Sequence, residues 1–260
     1  MRRARATCYC AGVTTPHDGT PHGSTAQVAR VFAFTGAAVF ALSLIYFLYS
    51  YQFRFGAPAE TAAALPAIAL DVALFTVFAA HHSLFARSGA KAWVAARAGA
   101  ALERSVYTWI ASLLFIVVCA AWALVPGELY ALPGVFAAAG YGVQLAGLVV
   151  TARSSAKLDV LDLAGIRAVV RAQRGDVPEH VPLETRGLYG FVRHPLYFGW
   201  LLVVFGTPHM TMTRFLFAAV SGAYLAIAIP FEERSLIRTF GEAYRDYQRQ
   251  VRWRMLPGIY

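Results

Sequence analysis

Repeated apolar runs of about 20 residues constrain this chain more than any other feature of its sequence. A helix of that length crosses roughly 30 Å of hydrocarbon at 1.5 Å per residue. Hydrocarbon offers no hydrogen-bond partners, so only helices and closed barrels span it, and the runs show no strand-like alternation. The sequence therefore predicts an all-α, multi-pass membrane protein with transmembrane helices over 28–50, 63–85, 105–125 and 132–151. Composition agrees, since 58% of the 260 residues are hydrophobic and 14% are charged.

A fifth apolar region, 196–229, is too long for one span. The stretch GTPHMT at 206–211 interrupts it with glycine and proline, which favours a helical hairpin. Its first arm, 196–205, covers only about 15 Å, or half a bilayer. We expect this short arm to be re-entrant and buried against the other helices.

The formal net charge of +9 invites a nucleic-acid interpretation, but the placement of the cations argues against it. They collect in alternate connections and near the ends of the chain: Arg2, Arg3, Arg5 and Arg30; Arg87, Lys91, Arg97 and Arg104; Arg153, Lys157, Arg167, Arg171 and Arg174; and the residues after 233. The connection 126–131 has none. This is the positive-inside pattern, which predicts the cytoplasmic (inner) membrane as the location and both termini in the cytoplasm.

The chain divides into three predicted parts: 1–27, a disordered cytoplasmic tail; 28–151, a four-helix transmembrane region; and 152–260, a cofactor-binding region with the hairpin and an amphipathic C-terminal helix. The first part has no signal-peptide pattern. Cys8 and Cys10 could form half of a metal site with His17 and His22, but nothing there fixes a geometry, so no metal is predicted.

Ionisable residues in the second span indicate either packing contacts or a site. For Asp71 we favour an interhelical hydrogen bond, to Gln144 or Ser112 for example. His81 and His82 lie at the predicted cytoplasmic edge, where a place near a site is an equally good interpretation.

The stretch RGLYGFVRHPLYFGW at 186–200 concentrates polar groups at the start of an apolar segment. Pro195 suits the first turn of a helix. The sequence then predicts free N–H groups at Leu196 and Tyr197, which favour an anion. Arg193 adds a positive charge, and Tyr197 and Trp200 share a helix face on which a cation could rest.

Glu232 and Glu233 follow Pro230 and Phe231 at the end of an apolar run. One interpretation places the two carboxylates in solvent at the start of a helix. The other buries them next to a cationic partner. After them, apolar and aromatic residues recur at helical spacing with arginines on other faces. That pattern predicts an amphipathic helix on the anionic leaflet, able to cover a site.

A ligand with a carboxylate, an ammonium, a sulfonium and an aromatic base would use all these groups. S-adenosylmethionine has this chemistry: its carboxylate suits the helix start, and its ammonium suits Glu232 or Glu233.

GLYGFVRHPLYFGW and PFEERSLIRTFGEAYRDYQRQV resemble the isoprenylcysteine carboxyl methyltransferase superfamily, which includes phospholipid N-methyltransferases. The shared pattern is Gly-x-Tyr, Arg-His-Pro-x-Tyr, a Glu-Glu pair and Phe-Gly-x-x-Tyr. The resemblance implies an S-adenosylmethionine-dependent methyltransferase. By similarity, the following residues fall on cofactor-contacting positions: Tyr189, His194, Pro195, Leu196, Tyr197 and Glu232.

HHSLFARSGAKAW, ERSVYTWIASL, LDVLDLAGIRAV and TPHMTMTRFLFA are similar to the bacterial methanethiol S-methyltransferase branch, which forms dimethyl sulfide. The resemblance therefore extends over about 71–251. Isoprenylcysteine enzymes carry an arginine before the Glu pair, where this chain has only apolar residues such as Ala228, which disfavours a carboxylate substrate. Val160 stands where the thiol branch has a histidine.

The predicted reaction is methyl transfer to a small hydrophobic thiol or a lipid-like acceptor. A thiol must lose a proton to react, and His82, Arg193 and His194 are the candidate catalytic residues. Three alternatives remain open: phospholipid N-methylation, an NADPH-dependent enzyme resembling sterol reductases, and a non-catalytic membrane scaffold.

Overall fold

The protein, analysed as a computed structural model, is described here over residues 23–59, 63–85, 87–176 and 182–260. Its elements in chain order are α1 (Gly23–Tyr49), a π-helical turn (Ser50–Arg54), α2 (Ala64–Phe85), α3 (Ser88–Ala98), α4 (Glu103–Ala121), β1 (Glu128–Ala131), α5 (Gly134–Lys157), α6 (Val160–Leu163), α7 (Ile166–Arg174), a 3₁₀ turn (Gly187–Gly190), α8 (Pro195–Phe205), β2 (His209–Thr211), α9 (Met212–Phe240) and α10 (Glu242–Gln250). Within these residues five helices, α1, α2, α4, α5 and α9, are long and apolar enough to cross a membrane. The prediction of an all-α, multi-pass membrane protein is confirmed.

Helix α1 begins at Gly23, ahead of the predicted start at 28, because α7 packs against its first turns. Gln173 Nε2 donates to the Ala26 carbonyl at 2.6 Å, and Ala33 and Val169 share a buried cluster. Residues 23–27, predicted as part of a disordered tail, are therefore helical. The rest of that predicted tail, with Cys8 and Cys10, lies outside the described residues.

An aromatic core holds α1, α2, α4, α8 and α9 together. Its buried rings are Phe47, Tyr51, Phe55, Phe75, Phe115, Trp122 and Phe217. Ring pairs at such spacing contribute about 0.5–1.5 kcal/mol beyond the area they bury. Lipid tails are as apolar as leucine, so close packing of this kind, rather than escape from water, drives helices together in a bilayer.

Helix α8 packs along α5 through two glycines. A Cβ added at Gly199 would lie 2.4 Å from Thr151 Oγ1, and one added at Gly147 would lie 2.7 Å from the Gly199 carbonyl oxygen. Small residues at such a crossing let the two backbones approach closely. Gln144 donates to the Val203 carbonyl at 2.9 Å, which satisfies an acceptor near the end of α8.

Strands β1 and β2 form a small antiparallel pair that the sequence analysis did not predict. Glu128 lies opposite Thr211, and Ala131 lies opposite His209. The interruption at 206–211 is thus held beside the connection between α4 and α5, and α8 and α9 leave it as the two arms of a hairpin. The start of α8 and the glutamate end of α9 lie at the opposite end of this hairpin. The re-entrant position of α8 in the bilayer stays a prediction.

Asp71 binds a backbone group rather than the predicted side chains. Its Oδ1 accepts from the Ala123 N–H at 2.8 Å, just beyond the end of α4. Arg54 donates to the carbonyls of Cys119 and Trp122 at the same helix end. Asp71 therefore joins α2 to the end of α4, as the packing interpretation favoured.

The predicted amphipathic helix is two elements. Helix α9 continues through Pro230 to Phe240, and Gly241, with φ of +59°, separates it from α10. Residues with a side chain rarely adopt that conformation, so this glycine ends α9. Tyr244 and Tyr247 of α10 are buried against Leu236 and neighbouring residues of α9.

Candidate active site

The backbone before α8 is paired with the segment after α10. The N–H of Arg193 donates to the Trp253 carbonyl at 2.9 Å, and the N–H of His194 donates to the Arg254 carbonyl at 2.8 Å. Two chain segments about 60 residues apart thus fix the entry into α8. This contact was not predicted, because 251–260 carries no periodic pattern.

Pro195 is the first residue of α8, as predicted. The N–H groups of Tyr197 and Phe198 both donate to the His194 carbonyl, each at 3.1 Å. The prediction that Tyr197 offers a free backbone N–H to an anion was wrong, because the carbonyl preceding the helix already accepts it. The first turn of α8 is therefore closed internally at this position.

Glu233 is buried, with 4% of its side chain exposed, and faces cations of its own chain. Its Oε1 accepts from Arg193 Nε at 2.6 Å, while Oε2 accepts from Gln248 Nε2 at 3.2 Å and Arg254 Nε at 3.3 Å. Such charge-assisted bonds compensate for burying the charge. Glu233 thereby connects α9 to the start of α8, to α10 and to the final segment.

Arg193 uses its remaining donors on backbone carbonyls. Its Nη1 donates to Val251 at 2.7 Å and to Arg252 at 3.0 Å, and the residue is buried. The catalytic role predicted for Arg193 stays a prediction. Its contacts favour a positioning role instead, because the guanidinium is engaged by Glu233 and by the chain after α10.

Glu232 differs sharply from its neighbour, because 43% of its side chain is exposed. Adjacent residues of a helix point about 100° apart, so the two carboxylates face different surroundings. Glu232 Oε2 accepts the Tyr197 hydroxyl at 2.9 Å and lies 3.7 Å from His194 Nδ1. Of the pair, Glu232 is the carboxylate with room for a ligand.

His194 is buried between the two glutamates. Its ring stacks on Tyr197 with centroids 5.4 Å apart and planes 3° from parallel. Its Nε2 lies 3.5 Å from Glu233 Oε1 and has no hydrogen-bond partner among the described residues. His194 therefore lies between the buried carboxylate of Glu233 and the half-exposed carboxylate of Glu232.

Tyr189 lies in the 3₁₀ turn before α8, held by contacts on both sides. Its carbonyl accepts the Tyr247 hydroxyl at 2.6 Å, and its own hydroxyl lies 3.4 Å from the Ser154 carbonyl oxygen. Burial raises the pKa of Tyr189 to about 12, and the negative charges of Glu232 and Glu184 add to this shift. The phenol is therefore a neutral hydrogen-bond donor at physiological pH.

Leu196 and Trp200 complete the predicted set on α8. Leu196 is partly buried next to Pro195. The Trp200 ring stacks on Phe47 with centroids 4.7 Å apart, and its Nε1 donates to Ser221 at 3.1 Å. The Trp200 ring also contacts Phe115 and Phe217, and the Tyr197 ring stacks on His194, so both rings already have aromatic neighbours. The shared cation-binding face stays a prediction.

A second group of polar side chains surrounds His82. His82 Nδ1 is 2.6 Å from the Tyr107 hydroxyl, and Ser83 is 3.1 Å from the Tyr224 hydroxyl. The His82 ring also lies 6.5 Å from the Tyr224 ring, centroid to centroid. Tyrosines of α4 and α9 therefore meet at His82, and Tyr224 lies about two turns before Glu232 on α9. Sequence reasoning missed these tyrosines, although hydroxyls in apolar helices are a signal of buried polar contacts.

The chain resembles known methyltransferases in the region that builds this site. The model of the isoprenylcysteine carboxyl methyltransferase (ICMT) family matches residues 148–238. Methanethiol S-methyltransferase 2 of Bradyrhizobium diazoefficiens is 37% identical over 185 residues, which are 71% of this chain and 71% of that protein. Methanethiol S-methyltransferase 1 of the same organism is 29% identical over 263 residues, covering 94% and 92% of the two chains.

A protein-S-isoprenylcysteine O-methyltransferase of Dictyostelium discoideum is 35% identical over 103 residues, 38% of this chain and 43% of that protein. No solved structure matches. The helices and these relatives together define a multi-pass membrane methyltransferase. The chain belongs to the isoprenylcysteine carboxyl methyltransferase superfamily, and its similarity is to the methanethiol S-methyltransferase branch, as its motifs predicted.

Proposed function

We propose that the protein transfers the methyl group of S-adenosylmethionine to a small thiol such as methanethiol, forming dimethyl sulfide. The relatives named as methanethiol S-methyltransferases support this acceptor. The observation that carries the proposal is the half-exposed Glu232 beside Tyr197 and His194, at one end of an apolar helical bundle.

The residues present fit the cofactor. Glu232 keeps acceptor capacity beyond its bond with Tyr197, which suits an ammonium. His194 stacks on Tyr197 beside Glu232, and Tyr189 supplies a neutral phenol nearby. Pro195 and Leu196 line the same helix start. Bound S-adenosylmethionine would supply a methyl group activated by its sulfonium.

Glu233 takes an indirect part in this scheme. Its carboxylate is occupied by Arg193, Arg254 and Gln248, so it holds the site together rather than binding the cofactor. Region 152–260 thus supplies the cofactor-binding residues, while α2 and α4 supply the acceptor side.

The acceptor side centres on His82 and Tyr107. A thiol is a poor nucleophile until it loses its proton, and the hydrogen-bonded pair of imidazole and phenol can accept it. Phe78 covers the His82 ring at 5.9 Å between centroids. An apolar wall strengthens the attraction between a thiolate and a positive centre. The same apolar wall can admit an uncharged thiol. Ala228 is apolar, so it provides no cation to bind a carboxylate substrate.

The orientation of the protein follows from the same arrangement. We place the site at the inner face of the cytoplasmic membrane, with both termini in the cytoplasm, because the basic residues collect at that end. A polar cofactor then arrives from the cytosol, and a hydrophobic acceptor can arrive through the bilayer.

The test is an acceptor panel. Membranes containing the full-length protein would receive S-adenosylmethionine with a labelled methyl group and, separately, methanethiol, a longer alkyl thiol, phosphatidylethanolamine or a farnesyl-cysteine analogue. We expect volatile labelled sulfide with the thiols. Label in phospholipid or in the farnesyl analogue, with none in the sulfide, would overturn the proposed acceptor, and no transfer from S-adenosylmethionine to any acceptor would overturn the donor.

A further inference from the structure

Pro230 leaves one carbonyl of α9 without its helical donor. In an α-helix the N–H of residue i donates to the carbonyl of residue i−4, and proline has no N–H. The carbonyl affected by Pro230 is that of Ala226. Tyr260 donates its hydroxyl to this oxygen at 3.0 Å. The Tyr260 phenol, which lies outside the helix, thus replaces the N–H that Pro230 lacks. Pro230 is two residues before Glu232.

The same phenol is linked to Glu233. Arg254 Nη1 donates to the Tyr260 hydroxyl oxygen at 3.2 Å, and its guanidinium lies 5.1 Å from the centre of the Tyr260 ring. Arg254 Nε also donates to Glu233 Oε2 at 3.3 Å. The guanidinium therefore bridges the tyrosine and the buried glutamate.

Segment 251–260 is folded so that Tyr260 can make these contacts. The N–H of Met255 donates to the Tyr260 carbonyl at 2.9 Å, and the N–H of Tyr260 donates to the Leu256 carbonyl at 2.9 Å. Its earlier residues Trp253 and Arg254 accept from the backbone before α8. One short segment therefore contacts both elements that meet at Glu232: the entry of α8 through its backbone and α9 through Tyr260.

We propose that Tyr260 is a positioning residue for methyl-donor binding: its bond to the Ala226 carbonyl at Pro230 sets the orientation of α9 that turns Glu232 toward Tyr197 and His194. The assignment of Glu232 to the donor rests on the proposed function. The positioning itself depends on Pro230, because an ordinary residue at 230 would supply the helical N–H and make the phenol redundant.

If Tyr260 acts through Pro230, the effect of Tyr260→Phe should depend on the residue at 230. A general stabilising effect of Tyr260 would not show this dependence. Full-length wild type, Tyr260→Phe, Pro230→Ala and the double variant would be compared in nanodiscs by calorimetric titration with S-adenosylmethionine. Tyr141→Phe is the matched control, since that ring is exposed on α5. Tyr260→Phe removes both the bond to the Ala226 carbonyl and the acceptor of Arg254 Nη1. The bond to Ala226 alone corresponds to about a fivefold change in an equilibrium constant. We expect Tyr260→Phe to raise the dissociation constant by about that factor, and Tyr141→Phe to leave it unchanged.

In the Pro230→Ala background, Tyr260→Phe still removes the acceptor of Arg254 Nη1 but no longer removes the substitute helical donor, so its further effect should be clearly smaller than in the wild type. Equal weakening in both backgrounds, or no weakening in either, would overturn the proposal. Hydrogen exchange of the ligand-free protein reports the contact without the cofactor. Amides at 227–234 should exchange faster in Tyr260→Phe than in wild type, and the double variant should match Pro230→Ala. If these changes occur but the wild type does not bind S-adenosylmethionine, the proposed function fails while the effect of Tyr260 on α9 stands.

Discussion

Tyr197 of α8 donates its hydroxyl to Glu232 of α9 at 2.9 Å, although 35 residues separate them in the chain. The two sequence elements that suggested a methyl-donor site therefore meet. Their meeting does not depend on this bond alone, since Arg193 and Glu233 form a second, buried bridge between the same elements at 2.6 Å. The exposed bridge offers a carboxylate to a ligand, and the buried bridge holds the geometry.

We predict that Glu233→Gln destabilises the protein by about 3 kcal/mol, since removing one partner of a buried ion pair leaves the other charge uncompensated. Arg193 and Arg254 would both lose their carboxylate. The measurement is the unfolding transition in detergent. Glu242→Gln is the control, because its pair with Arg245 is exposed and contributes about 0.5 kcal/mol. Equal stability of the two variants would contradict the structural role of Glu233.

Gly199→Ala should destabilise the crossing of α8 and α5 by about 1–3 kcal/mol, because the new methyl group would press on Thr151 and on the Gly147 carbonyl. Gly142→Ala on α5 is the matched control, since a Cβ there meets nothing within 4 Å. Thermal unfolding of both variants tests the contact. A Gly199→Ala protein as stable as Gly142→Ala would show that the helices do not approach this closely.

On the acceptor side, His82→Ala and Tyr107→Phe should each lower the turnover number by about 100-fold, the smaller end of the range for acid–base catalysis. Cofactor affinity should be unchanged, because neither residue belongs to the set around the start of α8. Initial rates with methanethiol, combined with separate titrations of S-adenosylmethionine, distinguish the two effects. Thr76→Ala, exposed on the same helix, serves as the control. Full turnover in both variants would remove the pair from the mechanism.

Local patterns were sufficient for much of this fold. Apolar runs located the long helices, the glycine and proline of 206–211 located the hairpin interruption, and Pro195 marked the start of α8. Each of these features is encoded within a few turns of chain. The carboxylates of Glu232 and Glu233 were recognised for the same reason, as adjacent charges at the end of an apolar run.

Contacts between distant segments were not predictable in that way. Nothing near Arg193 in sequence indicates that Val251 and Arg252 accept its hydrogen bonds, and Tyr107 resembles any aromatic residue of an apolar helix. The different roles of Glu232 and Glu233 also depend on which neighbours surround each helix face. Periodicity gives the angle between two side chains, whereas the partners come from tertiary packing.

The proposed binding of the methyl donor by Glu232 is measured by titration of S-adenosylmethionine into Glu232→Gln. A bond to a charged group is worth about 1.5–3 kcal/mol, so we predict affinity at least about 10-fold weaker than in wild type with an unchanged unfolding temperature. Glu128→Gln, an exposed carboxylate paired with His209 at the other end of the hairpin, should bind like wild type. Wild-type affinity in Glu232→Gln would show that this carboxylate does not bind the donor.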